Sequence, residues 1–213
     1  MNHKVYMHAI NSKDYTYFKS QAEIQNLEHI LQDGKLKSLR LQGYDENYDY
    51  GYNGLDYISL CDFEKRNLYP EFLPKYNSYQ SYIKYGISLA FDKQKLEVIE
   101  PIILEPYSDF SNGRGRINKL GLSEKRYTDL MDEVQVKNEI SLDKLLYITY
   151  PVSKLFDNSF YFSKNAKLKL LKHEIDDIRK ILNYYKFDNV QIYDIDSELL
   201  LDDEGINKLI FKI

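Results

Sequence analysis

The chain has no tryptophan, one cysteine, five prolines and four histidines. A lone cysteine, Cys61, excludes an intramolecular disulfide, so the fold is not a small scaffold held by staples. So few histidines and cysteines leave no zinc-like ligand spacing, and no metal site is expected. No apolar run approaches the roughly 20 residues that span a bilayer, and the first residues lack the apolar core of a signal peptide. A cytoplasmic protein with no membrane partner is therefore expected, although a chain exported by a dedicated machine would look the same. Basic charge is not in excess: 29 Lys and Arg stand against 33 Asp and Glu, a formal charge of -4, which gives no global electrostatic argument for nucleic acid or an anionic surface. There is neither a glycine/serine linker nor a solenoid repeat. At 213 residues and 43% hydrophobic content, the chain is expected to be a single domain spanning 1–213.

Tyrosine is abundant, with 21 copies. It offers a flat apolar ring with a polar tip, suited equally to half-buried strands and to stacking on a planar ligand. "HKVYMHAI" alternates, with Val5, Met7 and Ala9 on one side and Tyr6, His8 and Ile10 on the other, as a strand does. "SQAEIQNLEHILQDG" predicts a helix, with Ile24, Leu27, Ile30 and Leu31 at helical spacing, Ser20 and Glu23 as a capping box, and Gly34 as its stop. Residues 42–56 read as a polar, tyrosine-rich loop, "YISLC" as a short strand, and "YIKYGISLAF" and "LEVIEPIIL" as two more. "DEVQVKNEISLDKLLYITYPV" reads as strand, turn and strand. Near the end, Leu171, Ile175, Ile178, Leu182 and Tyr185 form one helical stripe, followed by a strand-like "NVQIYDI". The expected class is α+β, with a mostly antiparallel sheet that is curved or split.

Three segments put a chemically useful residue opposite an apolar side. These are His8 in the first strand, Tyr57 and Ser59 in "YISLC", and Glu133 in "MDEVQV", whose Val134 and Val136 turn the other way. Taken singly, each has a plain reading: a histidine satisfied at a strand end, a serine and a tyrosine without function, a solvated carboxylate. Arg114 and Arg116 in "GRGR" could pair with phosphate or simply form a solvated turn. His29 and His173 fall on predicted helices and look structural or exposed, and Cys61 has no base near it in sequence.

In order and spacing, the strand with His8, the helix ending "ILQDGKL", the strands "YISL" and "YGISLAF", and the late "DEVQVKNEISLDKLLYI" resemble the ADP-ribosyltransferase superfamily in its histidine, tyrosine-or-serine, glutamate form. The resemblance covers residues 5–150 and leaves 163–213 as an extension of helix and strand. It implies a split sheet gripping NAD as substrate. His8 would bond the adenosine-side ribose, Tyr57 or Ser59 would order the nicotinamide ribose, Tyr82 would stack on nicotinamide, and Glu133 would bond the 2'-hydroxyl of the nicotinamide ribose. Breaking the glycosidic bond develops an oxocarbenium ion, and a fixed carboxylate stabilises a charge that exists only in the transition state. Arginine-modifying members carry an acid or glutamine two positions before that glutamate; here the position is Met131, which argues against an arginine acceptor. Glu139 is a rival for the catalytic acid, but it has Lys137 at the corresponding place.

The expected activity is thus mono-ADP-ribosyl transfer, a glycosyltransferase reaction, to a protein or nucleic-acid acceptor. The setting such enzymes commonly occupy is a bacterial toxin or effector, with a cognate antitoxin or inhibitor as a further partner. Two alternatives stand beside it. One is an NAD-dependent RNA 2'-phosphotransferase-like enzyme, which would want more arginines than this chain provides. The other is a non-catalytic recognition module built on the tyrosine-rich loop.

Overall fold

The computed structural model describes residues 1–2, 4–10, 19–44, 55–64, 86–99, 133–153 and 163–212. In chain order the elements are β1 (Val5–Ala9), α1 (Lys19–Asp33), β2 (Lys35–Lys37), β3 (Tyr57–Asp62), β4 (Ser88–Asp92), β5 (Glu133–Lys137), β6 (Glu139–Ser141), β7 (Leu145–Tyr150), α2 (Lys164–Tyr184), β8 (Gln191–Asp194) and α3 (Asp203–Lys212). Six strands form one sheet in the order β5-β3-β1-β4-β7-β8, and β2 pairs with β6 in a small sheet of its own. Every pairing is antiparallel except that of β7 with β8, between which α2 carries the chain back to the same end. The architecture is mixed, a mostly antiparallel sheet with helices, as the alternating strands and two helical stripes lead one to expect.

Register assigns the faces. Tyr6 stands opposite Phe91 and His8 opposite Leu89, while Leu89 in turn opposes Ile148, so these share a face. With Ile58, Leu60, Val134 and Val136, that face packs into the main core, to which α1 gives Leu27 and Leu31 and α2 gives Leu171, Ile175, Ile178 and Leu182. On the opposite face Val5, Met7, Cys61, Phe63, Ala90, Tyr147 and Ile195 form a smaller cluster. Ser163 caps α2, its Oγ accepting from the Ala166 N–H at 3.3 Å. Gly34 ends α1 at φ 68°, where its N–H reaches the Leu31 carbonyl at 3.1 Å and turns the chain directly into β2.

Several expectations change. α1 begins at Lys19, so Ser20 lies inside the helix, and Glu23 is no capping partner: its buried carboxylate accepts from the Ile87 N–H at 3.0 Å. A tertiary donor, unprotected at the start of β4, outweighs the local one. The expected strand over 96–104 is described only to Ile99, which alone pairs, bridging Gln135 through N···O contacts of 2.8 and 2.9 Å. The "DEVQV…LLYIT" stretch yields three strands rather than two, because Asn138, in the left-handed region at φ 67°, turns the chain out of the large sheet and sends β6 to β2. α3 was not anticipated from sequence. Among the described residues, no helix is long and apolar enough to cross a membrane.

Candidate functional site

Strand order brings the three singled-out segments side by side. β1 carries His8, its neighbour β3 carries Tyr57 and Ser59, and the next strand, β5, opens with Glu133. In the β3–β5 ladder Ser59 opposes Gln135, Tyr57 opposes Lys137, and Glu133 opposes Cys61, so position 133 is one row along the same face from Ser59. Residues 8, 59 and 133 are thus gathered within three adjacent strands. Gln135, which sequence reasoning passed over, joins them as a buried polar residue beside Ser59. Its signal was the alternation that gives it Glu133's face.

Within the one six-stranded sheet, the ladder between β1 and β3 is the shortest. β1 is paired with β4 over its whole length, from Val5–Asp92 to Ala9–Ser88, and β3 with β5 over five positions. Between β1 and β3, registered pairing consists of Tyr6–Asp62 and Met7–Cys61 and then stops. Beyond that point the Ser59 carbonyl, which a continued ladder would align with Ala9, meets the His8 ring, with Nδ1 at 2.9 Å. At this seam, the end of the short β1–β3 ladder, the His8 ring reaches the backbone of β3. His8 therefore does not lie beside Ser59 on one face; its strand position belongs to the face of Leu89, and the seam is what brings it to β3.

The seam has chemical consequences. Every other residue of β1 is buried, yet His8 is only half-buried, so the surroundings open at that point. A carbonyl oxygen only accepts, so Nδ1 carries the proton and Nε2 is the acceptor nitrogen of the neutral ring. Burial pushes the imidazole below its ordinary value, and the bond to Ser59 opposes this without cancelling it. His8 is neutral at pH 7 and can accept from a hydroxyl. Tyr57 is half-buried at the start of β3, and Ser59 is buried.

Both ends of the seam are anchored. At the paired end, Lys93 Nζ lies 2.8 Å from each Asp62 carboxylate oxygen, 3.1 Å from Glu64 Oε2, and 5.2 Å from the centre of the Tyr6 ring. Burial alone would lower the Lys93 ammonium, but its bonds to Asp62 and Glu64 hold it above the ordinary value. Lys93 holds Glu64 below the usual carboxylate range, first through their hydrogen bond and then through charge. At the parted end, Ile10 N–H bonds the Ile87 carbonyl at 2.8 Å, and the Glu23 carboxylate packs over Gly86, where an added Cβ would lie 3.2 Å from Oε1. Nearby on β7, the buried Tyr150 hydroxyl donates to Glu174 of α2; burial first, then the Glu174 charge, pushes the phenol well above its usual value.

The remaining sites divide clearly. Glu139 lies on β6, outside the large sheet, and pairs with Lys35 at 2.8 Å. Tyr82, Met131, Arg114 and Arg116 lie outside the described residues. Arg40 pairs with Asp56 at 2.6 Å, and Arg179 is engaged with Asp176 and the Leu201 carbonyl. Cys61 is fully buried, whereas His29 and His173 are exposed. Among the described residues, no group of three or more His, Cys, Asp and Glu could hold a metal. Thr149 Oγ1, on the face that Ala9 and Ser88 share, is buried without a hydrogen-bond partner among the described residues. No family model, curated protein or solved structure matches the chain.

Proposed function

We propose that the protein is an NAD-dependent mono-ADP-ribosyltransferase, moving ADP-ribose from NAD to a protein or nucleic-acid acceptor and releasing nicotinamide. The observation that carries this reading is the seam: the β1–β3 ladder ends after Met7–Cys61, His8 Nδ1 then meets the Ser59 carbonyl, and Glu133 opens the next strand. Positions 8, 59 and 133 fall on three neighbouring strands, 59 and 133 on one face and 8 on the other, with His8 reaching β3 through the Ser59 carbonyl.

The chemistry suits the substrate. A neutral His8 imidazole lacks the charge that would favour phosphate, which suits a ribose-side role. Ser59, Gln135, Ser88 and Thr149 are buried polar side chains on the face that carries position 133. Glu133 is assigned the carboxylate role: fixed opposite the nicotinamide ribose, its charge is stabilising only as the oxocarbenium ion forms. The Glu139 carboxylate is held by Lys35 on another sheet, which favours Glu133 as the acid. Tyr57 and Ser59 are assigned to the nicotinamide ribose and Tyr82 to stacking. The engagement of Arg40 and Arg179 with acids and a carbonyl argues against the phosphotransferase alternative.

The test is nicotinamide release from NAD by the purified protein and by Glu133→Gln, with and without a cell lysate as a source of acceptors. Release by the wild type should fall by about a hundredfold or more in the variant, the loss typical of one preorganised charged group. Absence of both release and NAD binding in the wild type would overturn the reading and favour the recognition module.

A further inference from the structure

The paired end of the seam is tied more heavily than two ladder pairs require. Tyr6 and Asp62 are register partners on β1 and β3, and Lys93 follows directly after β4, the other neighbour of β1. One ammonium therefore joins all three strands, contacting both oxygens of Asp62 and lying over the Tyr6 ring. Asp62 is 3% exposed, so its charge depends on Lys93 rather than on water. Three residues farther along β3 is Ser59, whose carbonyl holds His8. A strand pinned at Asp62 carries the Ser59 carbonyl with it, so its angle to β1 sets where that carbonyl meets the His8 ring.

We propose that Lys93, acting through Asp62 and Glu64, is the positioning residue that sets how far β3 stands from β1 and so the width of the seam holding His8. Lys93 is four strand positions from His8's partner Leu89 and touches neither the ring nor any reacting atom; it acts only through β3. Its significance for turnover rests on the transferase reading, but its effect on the seam does not.

Lys93→Met keeps a long unbranched side chain, one atom shorter, and removes its charge, while Lys93→Arg keeps the charge and can fork onto Asp62. The His8 imidazole is followed by long-range proton–nitrogen NMR across a pH titration of the protein alone. In the wild type and in Lys93→Arg, the ring should hold its Nδ1 proton and titrate below an exposed histidine. In Lys93→Met the Nδ1 preference should be lost and the titration should move up toward the exposed value. In parallel, KM for NAD should rise by about tenfold in Lys93→Met, with kcat changed far less and both restored in Lys93→Arg, since misplacing a binding group by an ångström already weakens it measurably.

A folded Lys93→Met protein with unchanged His8 tautomer and titration overturns the proposal, whatever its activity. If Lys93→Met does not fold, Glu64→Gln, which weakens only the exposed half of the cluster, must shift the His8 titration upward by a smaller amount, and an unchanged titration there overturns it as well. Wild-type protein that releases no nicotinamide would defeat the transferase reading alone, leaving the NMR result to decide the role of Lys93.

Discussion

A histidine held within a buried central strand ties the protein's stability to pH. The folded pKa of His8 lies below the unfolded value of about 6.5, so the unfolded chain takes up the proton first. This contribution is present in full above pH 6.5 and is lost as pH falls below it. Urea midpoints measured at pH 5.5 and 7.5 should therefore show lower stability at the acidic end, and His8→Gln should flatten that difference. His8, Ser59 and Glu133 were all legible as residues of interest, because alternation alone sets a polar side chain against an apolar face. Asp62 and Lys93 were not. An aspartate closing an apolar run was a usable sign of a buried, paired charge, but its partner 31 positions away was not readable.

At the scale of elements, local pattern served the helices better than the strands. The stripe Leu171, Ile175, Ile178 and Leu182 is the one that α2 buries, and Leu171 is fully inaccessible in the main core. Leu171→Ala should destabilise the protein by about 2–5 kcal/mol, read as a lowered chemical-denaturation midpoint with an unchanged m-value. α3 went unread because its "DEGINKLIFK" is short and contains a glycine, Gly205, that weakens the helical signal. β6 was read as the turn between two strands, because it is only three residues long and pairs with the distant β2 after the chain turns at Asn138.

Considered whole, the segment 163–213 is not an appendage. β8 covers the outer edge of β7, α2 closes the main core, and Leu201, Ile206 and Leu209 add to it. The resemblance stopped at residue 150, yet the sheet that holds the seam needs this last layer. A chain ending at residue 162 would leave β7 as an exposed edge beside a bare apolar face. It should fail to form the fold and collect as insoluble or loosely structured material, measured by far-UV circular dichroism and amide hydrogen exchange. A stable, fully protected fragment would show that the sheet is self-sufficient.

The sequence alone determined which side of each strand is apolar, where α1 and α2 run and bury, and which side chains stand opposite those faces. These follow from periods of two and 3.6 residues, which are local properties of the backbone. Only the tertiary structure decided that β1, β3 and β5 are neighbours, that the β1–β3 ladder has two register pairs, and that His8 meets the Ser59 carbonyl at one end of it while Lys93 holds Asp62 at the other. Alternation is compatible with many strand orders, and the choice among them comes from contacts between residues dozens of positions apart. Those contacts become favourable together, once the helices have covered the sheet.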